Sequence, residues 1–125
     1  MTPPEPLVRS VHRGVRLFNR GRYLAAQGLW EAAWRDAPPE LRGFLEGLVQ
    51  LAGGLHLRTR RGGMRGAVQL LSQALVAFED HRPVQIGVDV DAALADFAIY
   101  LDWVREIDRP HRLLDGLRIP RLKAT

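Results

Sequence analysis

One segment, residues 18–34, constrains the fold of this 125-residue chain more than any other. It reads FNRGRYLAAQGLWEAAW. Asn19 and Gly21 both tolerate positive φ and predict a helix stop followed by a turn. Beyond the turn, small and large side chains recur at helical spacing and share one face of the helical wheel. That face carries Tyr23, Ala26, Gln27, Trp30, Ala33 and Trp34. The pattern predicts a helix that packs closely against a neighbouring helix.

Apolar periodicity along the whole chain predicts an all-α fold, a single-domain bundle of about five helices with a repeat-like helical core. The predicted helices cover residues 5–19, 23–36, 39–61, 64–80 and 89–108, and they are separated by glycine, asparagine and proline signals. The third helix is the most apolar and is expected at the centre. It also carries a narrow stripe of Gly43, Gly47, Gln50 and Gly54. Because glycine costs a helix about 1 kcal/mol relative to alanine, this stripe indicates that another helix approaches closely.

The segments after the fourth helix are less regular. Residues 81–88 predict a loop, and Asp89 is a good N-cap for the fifth helix. The tail, residues 109–125, contains two prolines and is expected to dock on the surface. The tail residues predicted to make that contact are Leu117, Ile119 and Leu122.

Composition excludes several classes of site. The chain has no cysteine, so disulfides, thiolate metal sites and cysteine nucleophiles are excluded. No apolar run approaches the roughly 20 residues that a membrane span needs, and the N-terminus lacks the pattern of a signal peptide. We therefore expect a cytoplasmic protein without membrane contact. The net charge is +4, but no motif that reads DNA or RNA accompanies it, so nucleic acid is not the expected partner.

The spacing of the second helix is similar to that of a tetratricopeptide repeat. Gly21, Tyr23, Ala26, Trp30, Ala33 and Pro38 match the second half of such a repeat, in which small residues let paired helices pack tightly. The fourth helix echoes the same offsets with Gly63, Ala67, Leu71 and Ala74. The two echoes are further apart than one standard repeat of about 34 residues. A degenerate, repeat-like bundle is therefore a better prediction than a solenoid.

Several of these residues, together with the third helix, resemble a family of small bacterial proteins known as domain of unknown function 309. The resemblance covers about residues 15–78. Its motifs are Phe18-Asn19-x-Gly21-x-Tyr23, Ala26, Glu31, Trp34, residues 47–52 (GLVQLA), His56, Gly66-Ala67, Leu70 and Leu71. Where members of the family commonly carry His-Glu, this chain has Gln27-Gly28. The resemblance implies a fold and no established activity.

A polar cluster is the best candidate for a small-molecule site. Gln27 and Glu31 are neighbours on the second helix because they lie four residues apart. If the second and third helices pair antiparallel, their polar side chains are expected to converge beneath Trp34 and Tyr23. The candidate ligand-binding residues are Tyr23, Gln27, Glu31, Trp34, Gln50 and His56. The same residues are also consistent with a purely structural hydrogen-bonded lock between helices.

Signatures of catalysis are scarce. The chain contains no Glu-x-x-His motif and no pair of histidines four residues apart, so we expect no metal site and no cofactor, and we assign no catalytic residue. Four arginines near the end of the third helix form a second candidate, a patch for an anion or an acidic partner. They are Arg58, Arg60, Arg61 and Arg65.

The leading hypothesis is a binding or scaffold module with a protein partner or self-association, rather than an enzyme. The alternatives are a small-molecule binder or enzyme built around Glu31, and nucleic-acid association through the arginine patches.

Overall fold

The computed structural model describes residues 2–61, 64–106 and 118–125. Its helices are α1 (Glu5–Asn19), α2 (Tyr23–Arg35), α3 (Pro39–His56), α4 (Met64–Phe78) and α5 (Val90–Arg105). Consecutive helices pack on one another, and α3 lies between α2 and α4. The rings of Phe18 and Phe97, with centroids 6.0 Å apart, join α5 to α1. The all-α bundle predicted from the sequence is confirmed.

The central position of α3 is visible in its burial. Ten of its 18 residues are buried, and they include Phe44, Leu48 and Leu51, which are fully enclosed. Because such a helix contacts neighbours on several sides, it has no wide polar face, as expected for a helix inside a bundle.

The glycine stripe of α3 faces α4. A Cβ added at Gly47 would lie 2.8 Å from a ring carbon of Phe78, and one added at Gly54 would lie 3.1 Å from the side chain of Leu71. Both distances are shorter than ordinary van der Waals contacts between carbon atoms. The predicted close helix approach is therefore present, and α4 is the helix that makes it.

A second close approach joins α1 to α2. The indole of Trp30 is fully buried, and its Nε1 donates a hydrogen bond to the carbonyl of Val11 at 3.3 Å. A Cβ added at Gly14 would overlap that indole. Glycine at this position thus makes room for the largest buried side chain of the bundle.

Three helices end clearly earlier than the spacing predicts; α5, predicted to residue 108, ends at Arg105. After His56, the chain continues as a π-helical turn, Leu57–Arg61, and Phe78 is followed by a short 3₁₀ turn, Glu79–His81. At the end of α3, the Thr59 hydroxyl donates to the Leu55 carbonyl at 2.7 Å. A side-chain hydroxyl at this position competes with the regular backbone ladder, which is a common cause of helix distortion.

The loop predicted over residues 81–88 contains a small hairpin, which is a correction to the sequence reading. Its strands, β1 (Val84–Gln85) and β2 (Val88–Asp89), pair antiparallel around a two-residue turn. Ile86 and Gly87 both have positive φ, 46° and 70°, as the tight turns of hairpins require. His12 Nε2 donates to the Ile86 carbonyl at 2.8 Å and so ties the turn to α1. Strands of two residues are too short to produce a recognisable alternation.

Asp89 then begins α5 as predicted. Its carboxylate accepts a hydrogen bond from the backbone N–H of Ala92 at 2.9 Å. This is the standard N-cap contact, in which a side-chain oxygen satisfies one of the first N–H groups of a helix.

The C-terminal tail docks on the bundle. Asn19 holds Leu122 with two hydrogen bonds, since its Nδ2 donates to the Leu122 carbonyl at 2.9 Å and its Oδ1 accepts from the Leu122 N–H at 2.8 Å. Beyond this point the tail pairs with the hairpin, where Asp89 N–H donates to the Lys123 carbonyl at 2.8 Å. Leu122 is buried and Ile119 is partly buried, as predicted. Leu117, the third predicted contact, lies outside the described residues.

Candidate functional site

The six residues predicted to bind a ligand lie in separate places along the α2–α3 pair. Tyr23 and His56 are at one end, where α2 begins and α3 finishes. Glu31 and Trp34 are at the other end of α2. Since Tyr23 and Trp34 are eleven residues apart, an α-helix separates them by about 16 Å. The six side chains therefore do not converge on one enclosed pocket.

Gln27 and Gln50 point to different neighbours. A Cβ added at Gly53 would lie 2.8 Å from Nε2 of Gln27, so the Gln27 amide packs directly against the α3 backbone. Gln50 belongs to the stripe that faces α4, and its Nε2 donates to Oε1 of Gln73 at 3.4 Å. These contacts place one amide between α2 and α3 and the other between α3 and α4.

Tyr23 is buried against Phe18 in an edge-to-face contact, with ring centroids 5.0 Å apart. Burial raises the pKa of its phenol from 10.0 to about 12, because the charged phenolate is poorly solvated there. The side chain is therefore a neutral hydroxyl at physiological pH. His56 is half-buried and lies beside it in a shallow groove that Leu24 and Arg60 also line.

Glu31 and Trp34 form part of a shallow groove between α2 and α3. We call it the Trp34 groove, and its lining residues are Glu31, Trp34, Arg35, Glu46 and Val49. Both carboxylates are exposed, and neither makes an ion pair with the described residues. Trp34 is 37% exposed, which makes it the most accessible aromatic side chain among those residues with a described burial.

The Trp34 ring is held in position by a neighbouring arginine. The guanidinium carbon of Arg42 lies 5.3 Å from the ring centroid, a cation–π arrangement. Arg42 is itself anchored, because its Nε donates to the Ala37 carbonyl at 3.3 Å and its NH2 group donates to the Arg35 carbonyl at 3.4 Å. The tryptophan therefore has one face covered by Arg42, and 37% of the residue is exposed at the groove.

The predicted arginine patch needs a correction. Arg58 is fully buried and so does not belong to any surface patch. Arg60 and Arg65 are exposed, whereas the side chain of Arg61 lies outside the described residues. Arg58 lies seven residues after Leu51 and three after Leu55, a spacing that places it on the buried face of α3. Its charge, and not its spacing, suggested a place on the surface.

Arg60 lines a different cleft, built by three segments that are distant in sequence. Asn19, Arg20 and Gly21 of the α1–α2 turn form one wall, Thr59 and Arg60 form another, and the tail supplies the third. We call this the Arg60 cleft, and its lining residues are Phe18, Asn19, Arg20, Gly21, Tyr23, Thr59, Arg60, Ile119, Pro120 and Arg121. Its volume is about 420 Å³, and none of these lining residues is acidic.

Other kinds of site are not present in the described part of the chain. No group of three or more histidine, aspartate or glutamate side chains is arranged to hold a metal ion within residues 2–61, 64–106 and 118–125. Across the same ranges, none of the helices combines the length and the apolar character that a membrane crossing requires.

A comparison with known protein families gives a match. Residues 11–70 match the family model described as domain of unknown function DUF309. This stretch is a DUF309 domain. It begins within α1 and ends within α4, so the match includes more of the first helix than the sequence motifs indicated. The DUF309 domain contains the whole Trp34 groove, whereas the hairpin, α5 and the tail lie outside it. No curated protein matches the chain.

Sequence reasoning missed Glu46 and Val49 in the groove, and Arg20 and Arg121 in the cleft. The sequence carries one signal for Glu46 and Val49: they lie three residues apart on α3 and therefore share a face of that helix. Their position opposite Trp34 depends on the rotation of α3, which the buried arc of that helix constrains only loosely. Arg121 had no signal, because its place follows from the docking of the tail.

Proposed function

We propose that this protein is a binding module, not an enzyme, and that it binds a partner protein through the Trp34 groove. The observation that carries the proposal is an accessible tryptophan, covered on one face by Arg42, in a groove that two carboxylates also line. These carboxylates lack ion pairs with the described residues. Tryptophan is enriched among the residues that dominate the energy of protein interfaces. A ring that is already fixed loses little conformational entropy on binding, which favours affinity.

The groove also indicates the chemistry of the partner. Glu31 and Glu46 favour a lysine or arginine, while Val49 and the open part of Trp34 favour an apolar side chain beside it. A segment with a basic residue next to an apolar one satisfies both. The opposite charges would raise the association rate and select the binding register more than they would raise affinity.

The shape of the groove favours a peptide segment over a small molecule. Its volume is about 260 Å³, and its lining residues Glu31, Trp34 and Glu46 are exposed. Typical small-molecule sites are enclosed clefts of roughly 300–1,000 Å³ that bury most of the ligand. The alternative of a substrate pocket around Glu31 would need a deeper enclosure of that carboxylate.

A comparison of variants in a pull-down tests the proposal. Tagged wild-type protein, Trp34→Ala and Ile99→Ala are incubated with native-host extract and washed at high salt, and retained proteins are quantified by mass spectrometry. Ile99 is the matched control, because it is 72% exposed on α5 and distant in sequence from the groove. We expect one protein whose retention falls at least about tenfold with Trp34→Ala and is unchanged with Ile99→Ala, as expected for a tryptophan hot spot.

The purified partner then allows a direct measurement. Isothermal titration calorimetry with the double variant Glu31→Gln/Glu46→Gln should show weaker binding that depends less on salt. If the retained partner is a second copy of this chain, sedimentation equilibrium should show a dimer that Trp34→Ala dissociates. A partner retained equally by all three proteins would show that the groove is not the binding surface.

A further inference from the structure

The outer face of α1 carries a line of arginines. Arg9, Arg13, Arg16 and Arg20 are all exposed, and they follow one another at intervals of four, three and four residues. On an α-helix these intervals keep the side chains on one face, with Cβ atoms of neighbours about 5–6 Å apart. The line from Arg9 to Arg20 is about 16 Å long, from the helical rise of 1.5 Å per residue.

These four arginines differ from several other basic residues of the chain, which are paired. Arg82 lies 2.6 Å from Asp91, Arg105 lies 3.5 Å from Asp102, and Lys123 lies 3.2 Å from Asp96. None of these four arginines, three on α1 and Arg20 just after it, makes an ion pair with the described residues. Glu5, the one acidic residue of α1, precedes the line. The charge on this face is therefore not neutralised within the described protein.

The line continues into the Arg60 cleft at the C-terminal end of α1. Arg20 lines that cleft together with Arg60 and Arg121, each from a different segment. At the other end, Arg9, Arg13 and Arg16 line a shallow depression. Its other lining residues are Pro6, Val8, Ser10, His12 and Leu29. We call the combined surface the arginine track; it consists of Arg9, Arg13, Arg16, Arg20, Arg60 and Arg121.

We infer that the arginine track binds the phosphate backbone of double-stranded nucleic acid, without reading its sequence. A guanidinium forms paired, charge-assisted hydrogen bonds with phosphate oxygens, and a row of them suits a ligand with regularly repeated negative charge. Nucleic acid is not the partner expected from the sequence. The surface that supports it shares only Arg60 with the predicted patch, which loses Arg58 to the interior.

The described part of α1 has no large exposed apolar residue, which favours nucleic acid over a protein as the ligand of the track. Protein interfaces have an apolar core depleted of charge, whereas nucleic-acid interfaces are more polar and much more positive. The exposed large apolar residues in the described ranges are Leu24, Trp34, Val76, Val84 and Ile99, and none of them is on α1. The same observation favours a duplex, because proteins that bind single strands rely on exposed aromatic rings to stack bases.

Fluorescence anisotropy with a labelled 20-base-pair DNA duplex of mixed sequence tests the inference. Four to six phosphate contacts predict that log K falls with log salt at a slope of about −3.6 to −5.4. Between 50 and 200 mM salt, this slope corresponds to a loss of affinity of about 10²–10³-fold. Parallel titrations with an RNA duplex and with each single strand identify the preferred form, and we expect both duplexes to bind more tightly than the single strands.

Two double variants with the same change of charge locate the site. Arg9→Gln/Arg13→Gln should reduce the magnitude of the salt slope by about 1.8 and weaken binding at 50 mM salt at least about tenfold. Arg65→Gln/Arg105→Gln removes two exposed arginines that lie outside both the track and the Trp34 groove, and it should leave the slope unchanged. Trp34→Ala should also bind the duplex normally, so this experiment is independent of the proposed protein partner.

Three results would overturn the inference: no binding of any duplex at 50 mM salt, equal losses in both double variants, or binding of polyglutamate as tight as that of the duplex. The second would show a general effect of net charge. The third would assign the track to an acidic polypeptide.

Discussion

The α3–α4 interface and the docked tail are both held by close contact, but they are built by opposite means. At the interface, glycines remove side chains so that Phe78 and Leu71 can pack against the α3 backbone. At the tail, a single polar side chain, Asn19, forms both hydrogen bonds to the backbone of Leu122, a residue 103 positions later. The first contact follows a repeated spacing within one helix, whereas the second depends on one residue and on the path of the whole chain.

The difference shows which kinds of contact can be predicted from a sequence. A glycine stripe is a periodic pattern that lowers the stability of its helix. This loss is offset only if another helix packs against the stripe. Asn19 appears in the sequence as a helix stop, a role that asparagine commonly has. Its second role, as a clamp for the tail, leaves no periodic trace. Glycine packing should therefore affect the stability of the whole bundle, and the clamp should affect one segment.

The largest effect is expected at the interface. Gly47→Ala should lower the free energy of unfolding by about 2 kcal/mol, because the new methyl group overpacks Phe78 and Ala77. This loss should exceed the gain of about 1 kcal/mol in helix propensity that alanine normally brings. Urea unfolding followed by circular dichroism measures the change.

Gly28 on α2 provides the matched control. A Cβ added there meets no heavy atom within 4 Å, so Gly28→Ala should stabilise the protein by about 0.5–1 kcal/mol. The two substitutions are chemically identical and should have opposite signs. If both substitutions stabilise the protein, the α3–α4 contact is looser than described. In that case, the smaller side chain in the double variant Gly47→Ala/Phe78→Leu should not raise the stability above that of Gly47→Ala.

The next effect is expected at the clamp. Asn19→Ala removes both hydrogen bonds to Leu122 and should cost about 1–2 kcal/mol. Amide hydrogen exchange should accelerate at Leu122 and much less at Leu48 in the centre of α3. Unchanged protection of Leu122 would mean that the hairpin pairing holds the tail without Asn19.

The pH dependence of stability tests the burial of the Tyr23 phenol. The phenol of Tyr23 has a pKa of about 12 in the folded protein and 10.0 as a reference. Because the unfolded chain ionises first, the stabilising effect of a buried, neutral phenol is complete below pH 10 and is lost as the pH rises toward 12. At pH 11 the loss is about 1.4 kcal/mol, from 1.36 kcal/mol per pKa unit.

Tyr23→Phe should lack this component, so the pH dependence of its unfolding free energy between pH 8 and pH 11 should be smaller than that of wild type. Tyr23 lines the same cleft as Ile119 and Arg121 of the tail. In Asn19→Ala, ultraviolet titration should therefore show the phenol pKa moving down toward 10. Identical pH profiles for wild type and Tyr23→Phe would contradict the burial of this ring.

The smallest effect concerns the ion pair between Lys123 and Asp96. The side chains are 61% and 33% exposed, so the pair is screened by solvent and contributes no more than about 1 kcal/mol. Lys123→Gln should lower stability slightly at low salt and not at all at high salt. A loss larger than that of Asn19→Ala would show that charge, not the amide clamp, secures the tail.

Much of the fold could be predicted because the signals for a helix come from residues that are close together in the sequence. The apolar stripe of α1, the turn at Gly21 and the cap at Asp89 each depend on residues within a few positions of one another. The hairpin escaped prediction because its strands contain only two residues each. The π-helical turn escaped because it depends on how Leu57–Arg61 fits between α3 and α4.

The candidate site was less predictable than the fold. Glu31 and Trp34 were two of the six predicted ligand-binding residues, and they do lie in one groove. Gln27 packs on α3, whereas Gln50 faces α4, because the rotation of α3 decides which neighbour Gln50 meets. The arginine spacing of α1 is visible in the sequence, but its exposure and its lack of ion pairs with the described residues are not.

The sequence by itself determined that this chain forms helices, where most of them begin, and that α3 has a close-packed side. These properties arise from contacts between residues three or four positions apart, whose geometry is the same in every α-helix. Tertiary structure decided which helix fills the glycine stripe, and that Arg20, Arg60 and Arg121 share a cleft. Those outcomes depend on relative orientation and on contacts across as many as 103 residues, which no local spacing encodes.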